Sequence, residues 1–239
     1  MALSLEDVRR QRRAVKKAGV KTVVSFVLRW NPLLVTIDRL IGQNAFGNVF
    51  LVEVDYMHRI WCGPEEWLGT RKQGGTSMLA AGCHAVDALR WFARSEVVEV
   101  SAYQVKTENP IEYPGTLAAL VTFENGKIGR TTSCFDVMMP YVFHVGVYGT
   151  EGSMRNDKLF APKLFPGQNA FMTIPCVLPD SADVAHHPFR GEVKYFLDCI
   201  EEDKRPMPDL EDAAKTMEVC VAADRSAEEG RPVRISELG

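Results

Sequence analysis

The stretch of this sequence best suited to chemistry is Gly74-Gly75-Thr76-Ser77-Met78-Leu79-Ala80-Ala81-Gly82-Cys83-His84-Ala85-Val86-Asp87. Small residues lead into a helical run in which His84 and Asp87 stand three positions apart, so the two can share one helix face. An imidazole near a helix start, beside glycines that let a ligand approach, has the proton affinity to accept a proton from a hydroxyl being oxidised to a carbonyl. Taken alone the pattern is weak evidence, because a single histidine on a half-apolar helix is more often a core residue with its hydrogen bonds satisfied. His186 and His187 precede a proline-led helix, where they could reach a ligand or cap a loop; capping is the simpler reading.

Several elements must position this segment. Ser4 followed by Asp7 predicts a helix start and Gly19 its stop, with Arg9, Arg10, Arg12, Arg13, Lys16 and Lys17 crowding a solvated face between them. Thr22–Leu28 is a β-branched and aromatic run that predicts a buried strand, and Arg29-Trp30-Asn31-Pro32 leads from it into a periodic stretch with Leu33, Leu34, Ile37, Leu40 and Ile41. Helix, strand, loop and helix in that order resemble the last αβ step of a parallel sheet, so the sequence is expected to begin in mid-domain. Strand-like runs follow at 49–56, 97–105, 117–123, 128–134 and 142–148, interrupted by a helical period across 74–94. Asn125-Gly126 predicts a tight hairpin turn with positive φ at both central residues, and Gly149-Thr150-Glu151-Gly152 predicts a second turn. Two helices are expected near the end, one led by Pro188 and one carrying Leu210, Ala213, Ala214, Met217 and Val221 up to Gly230, before a last short strand at Ile235. The fold class is α+β: a mainly antiparallel open sheet with helices on one face, preceded by the last αβ step of a truncated Rossmann-type domain. The second face of such a sheet needs cover, and pairing with a copy of the chain through that open face is the expected solution.

Composition narrows the function classes. Across 239 residues, 46% are hydrophobic and 25% charged, which places the chain in the ordinary globular range. A formal net charge of −3 gives no electrostatic reason to seek nucleic acid or an anionic membrane. The six cysteines are scattered without a CxxC pair or a histidine at ligand spacing, so neither a metal site nor a disulfide framework is signalled and a reducing, cytoplasmic setting is expected. No apolar stretch approaches the roughly 18 to 20 residues that a membrane span requires.

Four stretches together resemble the Gfo/Idh/MocA oxidoreductase family: the run into Ser25-Phe26-Val27-Leu28-Arg29-Trp30-Asn31-Pro32, the Gly74–Asp87 segment, Tyr148-Gly149-Thr150-Glu151-Gly152, and the tail from His187-Pro188-Phe189 through Ala223-Asp224-Arg225-Ser226 to Gly230-Arg231-Pro232-Val233. The resemblance covers the whole chain and begins just after the point where that family carries a Glu-Lys-Pro motif. It implies residues 1–30 as a remnant of the dinucleotide-binding domain and 31–239 as the substrate and oligomerisation domain. It further implies an enzyme that moves hydride between a sugar, polyol or related hydroxy compound and NAD or NADP. In that family a lysine of the Glu-Lys-Pro motif and a histidine equivalent to His84 handle the hydroxyl proton, helped by an aspartate four residues earlier.

Two departures stand out. Ala80 occupies the aspartate position, and neither the lysine nor any GxGxxG phosphate loop occurs in the sequence. The isolated chain is therefore expected to be nearly inactive, since a hydride transfer requires the nicotinamide to be held at the reacting carbon. The resemblance assigns catalysis to His84, substrate contacts to Arg29, Asn31, Tyr56, Lys72 and Asp87, and cofactor contacts to Arg29 and Trp30, although Trp30 and Pro32 suit packing of the crossover equally well. His58, Trp67 and Arg71 fall in the same pocket-lining region and read more simply as surface residues. The alternative, motivated by Ala80, is a non-catalytic sugar-binding or oligomerising module derived from the same family.

Overall fold

A computed structural model describes residues 2–176 and 187–239 of the chain, so His186 lies outside the described residues. Helix α1 (Leu5–Ala18) starts where the Ser4 hydroxyl accepts the Asp7 N–H and stops at Gly19, which takes the left-handed conformation. Residues 20–26 do not form the expected strand. The Val24 N–H donates to the Pro208 carbonyl instead, and a short 3-10 turn at Val27–Trp30 follows. A β-branched run makes a strand only beside another strand, and no strand of the described chain lies there.

Helix α2 (Pro32–Gly42) begins with Asn31 as its cap, the side-chain oxygen accepting the Leu33 N–H at 2.9 Å, and with Pro32 at the first helical position. Its Leu33, Leu34 and Ile37 are 0–1% exposed, and burial of each such side chain contributes about 1.5–3 kcal/mol. The chain then enters β1 (Val49–Met57). A single turn, α3 (Arg71–Gly74), leads through Gly75 to a wide π turn at Met78–Gly82, which runs directly into α4 (Cys83–Ala93). The predicted continuous helical period across 74–94 is therefore broken near its start, at Gly75, whose φ of +80° only glycine adopts readily.

Strands β2 (Val97–Val105), β3 (Thr116–Phe123), β4 (Ile128–Cys134) and β5 (Val142–Gly149) follow the predicted runs to within one residue at either end. Between β3 and β4 only Gly126 has positive φ, not both central residues. The Asn125 side chain anchors the turn, donating to the Ala93 carbonyl and accepting the Lys127 N–H, and the positive φ falls on glycine alone. Short strands β6 (Ser153–Arg155), β7 (Lys158–Phe160) and β8 (Met172–Thr173) extend one edge. Helices α5 (Phe189–Glu201) and α6 (Leu210–Glu229) come next, then β9 (Val233–Arg234). Ile235 lies in a 3-10 turn, not in the last strand as expected, because the Glu237 carboxylate turns back to accept the Arg234 N–H.

The described strands form one sheet in the order β8-β7-β6-β5-β1-β4-β3-β2-β9, antiparallel throughout except for the central β1–β4 pair. Along β3, Leu117, Ala119, Val121 and Phe123 are buried while Ala118, Leu120 and Thr122 are exposed, the alternation of a sheet with one covered face. Helices α4 and α6 supply the cover, and α1 packs on α6. Thus the first thirty residues lie on the helical layer without a sheet of their own. The opposite face presents exposed Tyr103, Leu120 and Ile128 around a polar centre in which Arg130 pairs with Asp55 and Glu53 and the Tyr148 hydroxyl donates to Glu53. No described helix is long and apolar enough to cross a membrane.

Candidate functional site

The π turn at Met78–Gly82 fixes where the site is. Thr76 starts it: its hydroxyl accepts the Leu79 N–H at 3.1 Å and its carbonyl accepts the Ala80 N–H at 2.8 Å. From the sheet side, the Ser133 hydroxyl of β4 donates to the Ser77 carbonyl at 2.8 Å. One turn further on, at the start of α4, comes His84. Its ring meets Phe26 edge to face at 5.7 Å, and its Nδ1 is buried with no hydrogen-bond partner among the described residues. Burial lowers the imidazole to about 4, with His187 adding to the effect, so the ring is neutral at neutral pH and retains a lone pair for a proton. The residue as a whole is half-buried, with Nδ1 covered.

Around Ala80, Tyr56, Ile60, Leu68, Ile111, Tyr113 and Phe135 form an apolar and aromatic wall at the carboxyl ends of β1 and β4. Tyr56 stands at the end of β1 with its hydroxyl 3.1 Å from His58 Nδ1, and its ring lies 5.3 Å from that of Tyr141 and 6.4 Å from that of Phe135. Burial pushes the Tyr56 hydroxyl up to about 12, with the thiol of Cys83 nearby, so it serves as a hydrogen-bonding group and not as an anion. Burial also lowers His58. Tyr56, His58 and the Ala80–His84 segment are thus brought to one end of the sheet. Ala2, Leu79 and Cys83 all pack against a small cluster of Val8, Ala214 and Met217 between α1 and α6.

The other candidates are engaged elsewhere. Arg29 donates from Nε and Nη2 to the two carboxylate oxygens of Asp87 at 2.8 and 2.7 Å, and from Nη2 to Asp212 at 2.9 Å, with Trp91 under the guanidinium at 5.6 Å. Burial opposes the Arg29 charge, but the hydrogen bonds and charges of Asp87 and Asp212 outweigh it and hold the guanidinium above its ordinary value. Burial pushes the Asp87 carboxyl up while Arg29 pulls it down, and the bidentate geometry keeps the pair ionised. Arg90 extends the network from Asp212 to Thr216 and Glu96. Arg29 and Asp87 therefore spend their charges on each other, Asn31 caps α2, and Trp30 packs on Tyr195 and Gly191 of α5. Lys72 is exposed on α3, Arg71 pairs with Glu228 at 3.0 Å, and Trp67 is exposed.

Tyr141 and Phe135 were not singled out from the sequence. They lie some eighty residues from Tyr56: the parallel pairing of β1 with β4 brings Phe135 to it, and the antiparallel pairing of β1 with β5 brings Tyr141. Open surface depressions of about 630 Å³ under α1 and about 670 Å³ beside β2 lie away from this cluster, and neither is lined by a histidine or cysteine. Among the described residues there is no cluster of His, Cys, Asp and Glu that could hold a metal ion.

The chain is similar to proteins of known activity. The scyllo-inositol 2-dehydrogenase (NAD(+)) of Bacillus subtilis is 25% identical over 98% of this chain and 68% of its own length. The D-xylose 1-dehydrogenase (NADP(+)) 2 of Haloferax volcanii is 24% identical over 91% of this chain and 66% of its own. In three dimensions the fold matches a levoglucosan dehydrogenase solved with NADH and levoglucosan, with a TM-score of 0.84 and 20% identity, covering 98% of this chain and 71% of that one. The chain thus spans about two thirds of the length of the relatives it matches. The GFO/IDH/MocA C-terminal domain matches residues 34–155, more than half of the sequence, and the chain belongs to that family.

Proposed function

We propose that this chain is the substrate-binding part of an NAD(P)-dependent oxidoreductase acting on a sugar, polyol or related hydroxy compound. The observation that carries the reading is His84: an imidazole at the start of α4 with a covered Nδ1 that has no hydrogen-bond partner among the described residues, in a family whose relatives are named as dehydrogenases of scyllo-inositol and D-xylose. In this reading His84 accepts the hydroxyl proton, Tyr56 and His58 orient the substrate by hydrogen bonds, and the wall around Ala80 excludes water.

The described residues do not fit a dinucleotide by themselves. The sequence has no glycine-rich loop between a strand and a helix N-terminus, and the two residues assigned to cofactor contact, Arg29 and Trp30, are taken up by Asp87, Asp212 and Tyr195. The nucleotide is then held by residues outside these 239. The open sheet face, with Tyr103, Leu120 and Ile128 exposed, is the surface through which two copies of the chain would pair.

The second reading, a binding or oligomerising module without catalysis, rests on Ala80, which offers no carboxylate beside His84. Joining residues 2–239 to the nucleotide-binding portion of the Bacillus subtilis relative separates the two. The proposal expects NAD⁺ reduction with a cyclic polyol or aldose, lost at least a hundredfold in His84→Asn. A fusion that binds NADH yet oxidises no polyol, and stays inactive after Ala80→Asp, would establish the second reading instead.

A further inference from the structure

Asp224, on α6, has no part in the chemistry described so far, yet it reaches the segment that carries His84. Its Oδ2 accepts the Thr76 hydroxyl at 2.7 Å, and the same hydroxyl oxygen accepts the Leu79 N–H. Thr76 is 8% exposed and follows Gly75, whose positive φ of +80° ends the regular hydrogen bonding of α3 before the π turn begins. The π turn is therefore pinned at two points, from the sheet by Ser133 on Ser77 and from the helical layer by Asp224 on Thr76. A π turn leaves backbone groups offset from the ordinary i→i+4 ladder, so its shape depends on such external bonds more than that of an α-helix does.

We propose that Asp224 is a positioning residue: through Thr76 it fixes the π turn and thereby holds Ala80 and His84 at the carboxyl ends of β1 and β4. That this geometry serves proton transfer rests on the reading of His84 given above; that Asp224 sets the geometry does not. The charged and titratable groups facing Asp224 are Arg71 from α3 and Glu228 and Cys220 from α6 itself. Part of the residue's surface is open, but the carboxyl sits among protein atoms. Burial raises it to about 7, with Glu228 adding to the rise and the Thr76 hydroxyl and Arg71 opposing it. The charge at the pin changes near neutral pH as a consequence, and the Leu79 N–H, one bond beyond Thr76, senses the change.

Nuclear magnetic resonance of the 239-residue chain tests this without substrate or cofactor, with the His84 ring assigned from His84→Gln. In the wild type the amide signals of Leu79 and Ala80 should titrate with a midpoint of about 7. Asp224→Asn, which keeps an acceptor oxygen but cannot ionise, should abolish that step and leave the His84 ring signals in place. Asp224→Ala and Thr76→Val remove the pin; water then reaches the ring, and the His84 midpoint should rise by at least one pH unit, a tenfold change in proton affinity, with Thr76→Ser restoring the wild-type value. A His84 midpoint unchanged in both Asp224→Ala and Thr76→Val would overturn the proposal, as would a Leu79 titration that persists in Asp224→Asn. Should Asp224→Ala fail to fold, the Thr76→Val and Thr76→Ser pair decides the same question. None of these signals depends on turnover, so positioning and proton transfer stand or fall separately.

Discussion

Replacing Asp87 with alanine asks whether this carboxylate serves a ligand or the fold. Asp87 is 1% exposed and accepts two hydrogen bonds from Arg29, whose side chain is 15% exposed. The substitution removes two charge-assisted bonds and leaves the guanidinium with Asp212, a carboxylate already shared with Arg90 at 3.1 Å. Each such bond is worth about 1.5–3 kcal/mol, and loss of one partner of a buried pair about 3–5 kcal/mol, so with Asp212 still in place a destabilisation of about 3 kcal/mol is expected. Asp87→Asn keeps the volume and one acceptor and should cost about 2 kcal/mol. Arg29→Met combined with Asp87→Leu should cost less than the sum of its parts, because no buried charge is left without a partner. Urea denaturation at pH 7 followed by circular dichroism measures all of these. A loss under about 1 kcal/mol for Asp87→Ala, or strict additivity in the double variant, would refute the view that the pair is a buried structural unit.

Two further outcomes follow from the geometry. His84 is lowered from 6.5 to about 4, so its neutral form is favoured in the folded state: the stability this brings is present above pH 6.5 and is lost as pH falls from there towards 4. Between pH 7 and 4.5 the wild type should lose about 1–2 kcal/mol more than His84→Gln, half the full linkage value because the residue is only half-buried; equal losses in parallel denaturation series would show the ring to be solvated. At Gly149, a Cβ would stand 2.1 Å from the Phe46 carbonyl oxygen, a backbone atom that cannot step aside. Gly149→Ala should therefore lower stability by about 3 kcal/mol, and an unchanged urea midpoint would mean that the 45–48 segment yields freely.

The sequence by itself determined the local elements whose signals lie within a few residues of each other. Ser4 and Gly19 bound α1, Asn31 and Pro32 lead into α2, Gly230 ends α6, and alternation along 97–105 and 117–123 marks β2 and β3, because caps and period-2 burial act at short range. The Gly74–Asp87 segment was legible as the place for chemistry for the same reason: its residues are consecutive. What only the tertiary structure decided was how polar groups are spent and which distant residues meet. The β-branched run before Arg29 stays out of the sheet because no described strand lies beside it. Arg29 and Asp87 satisfy each other because α4 lies along the turn after residue 26, a contact no spacing of 58 residues announces. Phe135 joins Tyr56 because β4 lies parallel to β1, Tyr141 because β5 lies antiparallel to it, and Asp224 reaches Thr76 because α6 crosses the start of the π turn. A buried charge takes whichever partner the packing brings within hydrogen-bonding distance, and that distance is set by the fold and not by the chain.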